Sequence, residues 1–302
     1  LHRHGPGLSH AIGTGGRDLS APVGGMTMRH GIDLLAADAA TRVIVLCSKP
    51  PDPAVARSVL ERAGRCDKPV VVNFLGGDPQ AVSEAGLTPA ATLEAAARRA
   101  IALVEGEEPS WAEDRTDELV ASEAARLGQG QRFIRGLYSG GTLCTEAMLV
   151  LGDGVGDVYS NIPLRPEFEL ADPWQSQGHT LVDLGEDEFT QGRAHPMIDP
   201  TLRVRRIERE ARDPEVAVVL LDVVLGYGSH DDPAGSLAPA IAKAKAQAAA
   251  AGRYLSVVAS VCGTELDPQD LQQQEEVLRE VGVVVASSNA QAARIASRIV
   301  AS

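Results

Sequence analysis

The stretch Tyr138-Ser-Gly-Gly-Thr-Leu-Cys-Thr-Glu-Ala147 decides how this chain folds. Just before it, residues 133–138 form a short apolar and aromatic run of strand type. Just after its two glycines, residues 141–151 take the apolar spacing of a helix. A strand that passes through a Gly turn straight into a helix opens a βα unit, and the sequence that follows repeats the unit. Strands are expected over 180–184, 216–223, 254–261 and 283–286. They alternate with helices over 200–212, 236–251, 268–281 and 289–300, with Asn289 as N-cap of the last. The run 216–223 is apolar almost throughout, as in a strand covered on both faces of a parallel sheet. Five strands with helical crossovers predict a small doubly wound domain with flavodoxin-like strand order.

The first half reads as a partial copy. Helices are expected over 25–40, 52–64 and 88–104, and strands over 43–47 and 70–74. Near the front of each half a strand is expected to run into a polar turn, Ile12-Gly-Thr-Gly-Gly-Arg-Asp18 in one and Val182-Asp-Leu-Gly-Glu-Asp187 in the other. Each half then has an Ile-Asp pair, Ile32-Asp33 and Ile198-Asp199, ahead of its central strand. Self-similarity on this scale points to duplication. On this alignment the first copy lacks the opening strand and helix of the second. The expectation is therefore α/β, two tandem flavodoxin-like doubly wound parallel-sheet domains, the first (1–106) incomplete and the second over 132–302. An acidic and then helical stretch, 107–131, is read as a linker helix. The chain begins with Leu rather than Met, and is expected to start partway into a longer protein.

Composition removes several function classes. The chain has 302 residues, 44% hydrophobic and 23% charged, the balance of a globular protein. No apolar run approaches the roughly 18 residues of a membrane span. A net charge of −13 argues against a nucleic-acid face, which needs clustered Lys and Arg. A small anion remains compatible, because backbone N–H groups can hold one locally. Cys47, Cys66, Cys144 and Cys262 form no CxxC pair, so a reducing, cytoplasmic setting is expected and no metal site is assigned.

Chemistry concentrates at turns that follow strands. In Ser139-Gly140-Gly141-Thr142 two glycines allow close approach of a ligand to backbone N–H groups at a helix start, and two hydroxyls add donors. The alternative is a capping turn with no ligand. Asp183 and Asp187 stand at the carboxyl end of a strand, where they either orient an amide or hold Mg²⁺, and Arg193 is suited to clamp a carboxylate or phosphate. The competing reading is a solvated turn with a structural ion pair. His195 is a candidate general acid or phosphate contact. Asp222 closes the central strand and either binds substrate N–H groups or makes a loop hydrogen bond. Gly15 and Gly16 form the matching turn of the first half. Cys144 is read as an ordinary buried cysteine.

These motifs carry a resemblance. Ser139-Gly-Gly-Thr-Leu-Cys-Thr-Glu-Ala147 resembles the Ser-Gly-Thr-Leu-Thr-Tyr-Glu-Ala helix start of the succinyl-CoA synthetase α subunit. Asp222-Val-Val-Leu-Gly226 and Val281-Gly-Val-Val-Val-Ala286 follow in the matching order. Gly13-Thr-Gly-Gly-Arg-Asp-Leu-Ser20, the run from Asp183 to Arg193 and His195-Pro-Met-Ile-Asp199 resemble the FdrA family over nearly the whole chain. That resemblance implies an acyl-CoA-synthetase-type fold with a CoA-binding domain ahead of Leu1, and CoA, phosphate or carbamoyl phosphate as ligands. It also implies a homo- or hetero-oligomer. Succinyl-CoA synthetases relay phosphate through a histidine. The stretch that corresponds to it here, Cys262-Gly-Thr-Glu-Leu-Asp-Pro-Gln269, contains none. The resemblance therefore implies transfer of a small acyl or carbamoyl group, with oxamate carbamoyl transfer in ureide breakdown as the specific form. CoA-thioester ligation and a non-catalytic scaffold subunit are the alternatives.

Overall fold

The structure is a computed structural model that describes residues 1–5, 7–107 and 116–301. The chain divides into two compact units, Leu1–Trp111 and Ala112–Ser302.

In the first unit the order is α1 (Met26–Ala37), β1 (Ile44–Ser48), α2 (Pro53–Ala63), β2 (Val70–Phe74), α3 (Pro79–Glu84), β3 (Thr88–Pro89) and α4 (Leu93–Glu105). The three strands form a parallel sheet in the order β1-β2-β3. Helix starts follow their sequence signals. The Asp52 carboxylate accepts from Ala54 N–H at 2.9 Å, with Pro53 at the first helical position, and Asp78 and Thr92 cap α3 and α4 in the same way. The strand expected ahead of the Gly13 turn does not form: residues 11–15 have no regular structure. Among the described residues, no strand pairs with them.

The second unit holds α5 (Thr116–Ala124), β4 (Phe133–Tyr138), α6 (Gly141–Val155), β5 (Val158–Ser160), β6 (His179–Asp183), α7 (Asp187–Thr190) and α8 (Thr201–Glu210). Then come β7 (Val216–Val224), α9 (Pro233–Ala250), β8 (Ser256–Cys262), α10 (Leu271–Glu280), β9 (Val284–Ala286) and α11 (Asn289–Ala301). Six parallel strands run in the order β5-β6-β4-β7-β8-β9. The five strands expected from the sequence stand in the flavodoxin-like order, and β5 adds an edge. Alternation along β7 divides the core. Val219 and Leu221 pack with Ile207, Leu237, Ile241 and Leu278 on the α8–α9–α10 face. Val218 and Leu220 pack with Met148, Leu151, Ile295 and Ile299 on the α6–α11 face.

Three local findings refine the sequence reading. Of the expected linker helix, 108–115 lie outside the described residues. Helix α5 packs into the second unit through Val120 and through Glu123, whose carboxylate accepts from the hydroxyls of Tyr254 (2.9 Å) and Ser256 (2.6 Å). The cap of α11 is Ser288, whose Oγ accepts from Gln291 N–H at 3.0 Å. Asn289 instead donates its amide to the Leu143 carbonyl and to Glu146 at 2.8 Å, tying α11 to α6. At the amino end of the sheet, buried Arg135 bonds Glu210 (3.0 Å), Asp213 (2.8 Å) and the Gly178 carbonyl.

His179 at the start of β6 belongs to this end. Its Nδ1 accepts from Ile134 N–H at 3.3 Å, and its ring meets Phe133 edge-on at 5.5 Å. Burial, then the charge of Arg135, hold the imidazole below the ordinary histidine range. In the window between the native and unfolded values the unfolded chain binds more protons, so stability rises with pH there and falls as the solution is acidified. Urea midpoints measured from pH 5 to pH 7 are expected to climb in the wild type. In His179→Gln they are expected to climb less.

Candidate functional site

The order β6-β4-β7 makes the carboxyl ends of these strands neighbours, with β4 in the middle. The chain leaves β4 toward one side of the sheet and later returns to β7 on the other. That is the switch point at which doubly wound sheets hold ligands. The expected residues Ser139, Asp183 and Asp222 all lie there.

Asp222 is fully buried and is the hub. Its carboxylate accepts from Ser139 N–H (2.9 Å), Gly140 N–H (2.9 Å) and the Ser139 hydroxyl (3.1 Å). Arg203 completes it at 2.7 Å and also bonds the Asp222 and Leu137 carbonyls. Of the two readings of Asp222, the loop hydrogen bond is the one formed. The anion on the Ser139-Gly140 amides is the chain's own carboxylate, so the two donors expected for a ligand are engaged internally. Burial pulls the Arg203 guanidinium down from its ordinary pKa, while the Asp222 charge opposes that shift. Arg203 is a residue of this turn that the sequence reading did not single out. Its signal was the four-residue spacing Arg203, Ile207, Ala211, which sets it on the buried face of α8.

What remains open at the turn is the start of α6. Gly140 is the N-cap residue and has no side chain to cap with, so the N–H groups of Gly141, Thr142 and Leu143 have no intrahelical acceptor. Thr142, half-buried in the same first turn, carries a hydroxyl.

Asp183 is almost fully buried and its Oδ1 accepts from Gly185 N–H at 2.9 Å. Asn161 brackets the same residue, accepting from its N–H at 2.9 Å and donating to its carbonyl at 3.0 Å. Gly185 is where the expected residues converge. A methyl on its Cα would stand 2.6 Å from His195 Nε2, 3.1 Å from Asp183 Oδ1 and 3.1 Å from the Ser139 carbonyl oxygen. His195 Nδ1 accepts from Met197 N–H at 3.3 Å, which leaves Nε2 as the protonated nitrogen of the neutral ring. Met197 in turn accepts from His230 N–H at 2.7 Å, so a second histidine on the loop after β7 flanks the site. Gly185→Ala is expected to displace His195 and lower any activity of the site about tenfold or more, with thermal stability changed far less. Circular dichroism melts beside turnover assays check this.

The other expected residues lie further out. Arg193 is exposed and lines a separate cleft with Arg205 and Asp199, and among the described residues neither arginine is within ion-pair distance of a carboxylate. Hydrogen bonds from Thr201, then the two arginines, hold the Asp199 carboxyl below its usual range. Asp187 starts α7 with its side chain in solvent. Gly15 (φ 84°) and Gly16 sit in an open turn of the first unit with nothing against their Cα atoms. The neighbouring Asp18 caps α1 through Thr27 and Met28 N–H. Among the described residues no three His, Cys, Asp or Glu side chains group as a metal site, and no helix is long and apolar enough to cross a membrane. Cys144 is buried in the first turns of α6.

Fold and site together define a doubly wound α/β domain that presents a Gly turn, a helix start and two histidines at its switch point. The CoA-ligase family profile matches residues 137–299, more than half of the 302, and the chain belongs to that family. Its sequence is 50% identical over 290 residues to the uncharacterized protein YahF of Escherichia coli (strain K12). That alignment covers 96% of this chain and 56% of YahF, so the chain spans about half the length of its relative. Among solved structures it is similar to the apo form of a dinucleotide-forming acetyl-coenzyme A synthetase 1 of Ca. Korarchaeum cryptofilum. That match has 16% identity and a TM-score of 0.40, over 90% of this chain and 56% of that one. It is also similar to PH0766 of Pyrococcus horikoshii OT3, with 13% identity, a TM-score of 0.34, and 90% and 55% covered.

Proposed function

We propose that the second unit handles a small acyl phosphate within a CoA-ligase-type enzyme of the FdrA kind. The observation that carries this reading is the convergence of His195, Asp183 and the Ser139 carbonyl around Gly185, beside the uncapped start of α6. The phosphate is held by the N–H groups of Gly141 and Thr142 and by the Thr142 hydroxyl, at the positive end of the helix. His195 Nε2–H donates to the oxygen on which charge develops as the acyl carbon is attacked. A thiol or amine adds to that carbon, the carbon–oxygen bond to phosphate breaks, and phosphate departs with the bonding pair and takes up the proton that the nucleophile loses. Asp222 and Arg203 work inside the chain, holding the turn at the geometry this docking needs. Arg193, in its own cleft, is suited to an anionic part of the ligand or its partner substrate.

CoA is the acceptor that the family favours. Carbamoyl transfer from carbamoyl phosphate to oxamate draws on the same contacts, and the absence of histidine from residues 262–270 favours direct transfer over a phosphohistidine relay. A panel of acetyl phosphate with CoA, ATP–Mg²⁺ with CoA and acetate, and carbamoyl phosphate with oxamate separates these. Thioester formation in either CoA arm establishes ligase chemistry, and carbamoyl-oxamate formation establishes the transferase. No turnover in any arm contradicts both and points to a scaffold.

A further inference from the structure

The cleft of Arg193 and Arg205 is charged against the sign of the chain. It measures about 230 Å³ and is walled by the loop after β6 and by the first turns of α8. In a chain with 41 acidic and 28 basic residues, two arginines on one cleft without a carboxylate at ion-pair distance stand out. The carboxylates nearest to them in sequence are committed elsewhere. Glu208, one helical turn beyond Arg205, pairs with Lys243 at 2.8 Å, and Glu188 accepts from Asn161 at 2.8 Å. Asp199 lies in the cleft itself, but its Oδ1 accepts from the N–H and the hydroxyl of Thr201 at 3.0 and 2.6 Å. Two guanidiniums and one carboxylate leave the cleft with one positive charge, in a chain of net charge −13.

Its place ties the cleft to the site. Ala194 and Pro196, which line it, bracket His195, and Leu184, which also lines it, precedes Gly185. The cleft therefore runs beside the contact of His195 with Gly185 along two separate stretches of chain. Pro196 is shared with the small crevice of Ser139 and His230. Size and lining narrow the occupant. A volume of about 230 Å³ falls below the roughly 300–1,000 Å³ of sites for drug-sized ligands, too small to enclose a nucleotide and suited to an acid of a few carbons. Phe189 and Leu202 supply an apolar wall for a short carbon chain. A guanidinium presents parallel N–H donors that match a carboxylate. One net positive charge balances a monoanion, whereas a phosphate dianion would bring excess negative charge beside Asp199.

We propose that this cleft holds a small organic acid by a carboxylate that takes no part in bond making, with Arg193 and Arg205 as its partners and Phe189 and Leu202 against its carbon chain. Its role as a substrate of the neighbouring site rests on the function proposed above; its binding does not. Arg205, on α8, is then a specificity-determining residue beside Arg193, and uncharged analogues of the same acid are poor ligands.

Trp174 reports on the cleft, because it packs edge-on at 4.9 Å against Phe189. Its fluorescence in a Trp111→Phe background is followed while propionate, propionamide or inorganic phosphate is added at constant ionic strength. The arginine Nε–H resonances are followed by NMR in the same titrations. Propionate is expected to give a saturable response, and propionamide none over the same range. Arg193→Gln and Arg205→Gln are each expected to weaken propionate binding about tenfold or more, with the melting temperature retained because both side chains are exposed. No response of the wild type in either measurement overturns the proposal. Equal binding of propionate and propionamide, or equal binding of propionate by the wild type and the Arg193→Gln/Arg205→Gln double variant, overturns it too. Phosphate that displaces propionate and binds the cleft more tightly overturns the carboxylate class. Acetyl phosphate that fails to bind while propionate binds as described contradicts the function proposed above alone, and leaves this site standing.

Discussion

Replacing Asp222 with alanine is expected to destabilise the second unit by about 3–5 kcal/mol, a large part of the stability of an ordinary domain. The substitution strips the counter-charge from Arg203, which is buried with its guanidinium fixed by two backbone carbonyls. It also leaves the N–H groups of Ser139 and Gly140 without their acceptor. The two costs separate in a cycle. Adding Arg203→Met removes the stranded charge and should recover part of the loss. The remainder, about 1–3 kcal/mol, belongs to the unsatisfied amides and should persist. Urea unfolding of a Trp111→Phe background reads this through Trp174, which packs edge-on against Phe189 at 4.9 Å within the second unit. A double variant no more stable than Asp222→Ala alone would mean that Arg203 is not charged against Asp222.

The second large effect concerns turnover rather than folding. His195→Ala is expected to lower kcat by about 10²–10³, the usual consequence of deleting one donor aimed at developing charge. KM should move little, because the phosphate contacts lie on α6. The fold should survive, since His195 is only half-buried and its imidazole is held within the chain, among the described residues, by the 3.3 Å contact from Met197 N–H. His230→Ala is the comparison, because that ring flanks the site while its Nδ1 accepts from Asp232 N–H at 2.9 Å. A loss in His230→Ala equal to that in His195→Ala would take the special role away from His195. Rates of the CoA and carbamoyl reactions, with melting curves for each variant, decide between them.

Much of the fold was legible because burial leaves a period in the sequence. The continuous apolar run of β7 and the Gly turn before α6 fixed the sheet and its entry point. What escaped were elements defined by neighbours. Strand β5 has three residues, Val158 to Ser160, and exists because β6 offers it an edge. The stretch around Ile12 has strand composition but no partner, so composition misled. Asn289 and Ser288 are both good caps, and the preference of the Asn289 amide for Glu146 on another helix settled which one serves.

The site was legible in its residue types and its place, but not in its wiring. The structure brings Ser139, Asp183, His195 and Asp222, each singled out in the sequence, to one edge of the sheet. The sequence could not tell that the anion on the Ser139 turn is Asp222 itself, because both a bound ligand and an internal carboxylate ask for the same glycines. Nor could it find the contact of His195 with Gly185, which joins two segments of the loop after β6 and depends on the absence of a Cβ.

The central claim, that the start of α6 binds the phosphate of a small acyl phosphate, is tested most directly by calorimetric titration of acetyl phosphate and carbamoyl phosphate into the wild type and Gly141→Pro. Proline is tolerated at the first helical position, and the extended backbone of Gly140 (φ −115°, ψ 108°) suits the residue before it, so the variant deletes one N–H and little else. The account predicts binding of at least one of the two ligands to the wild type, weakened about tenfold in Gly141→Pro with its melting temperature retained. Equal affinity in the two proteins, or no binding to the wild type, would contradict it.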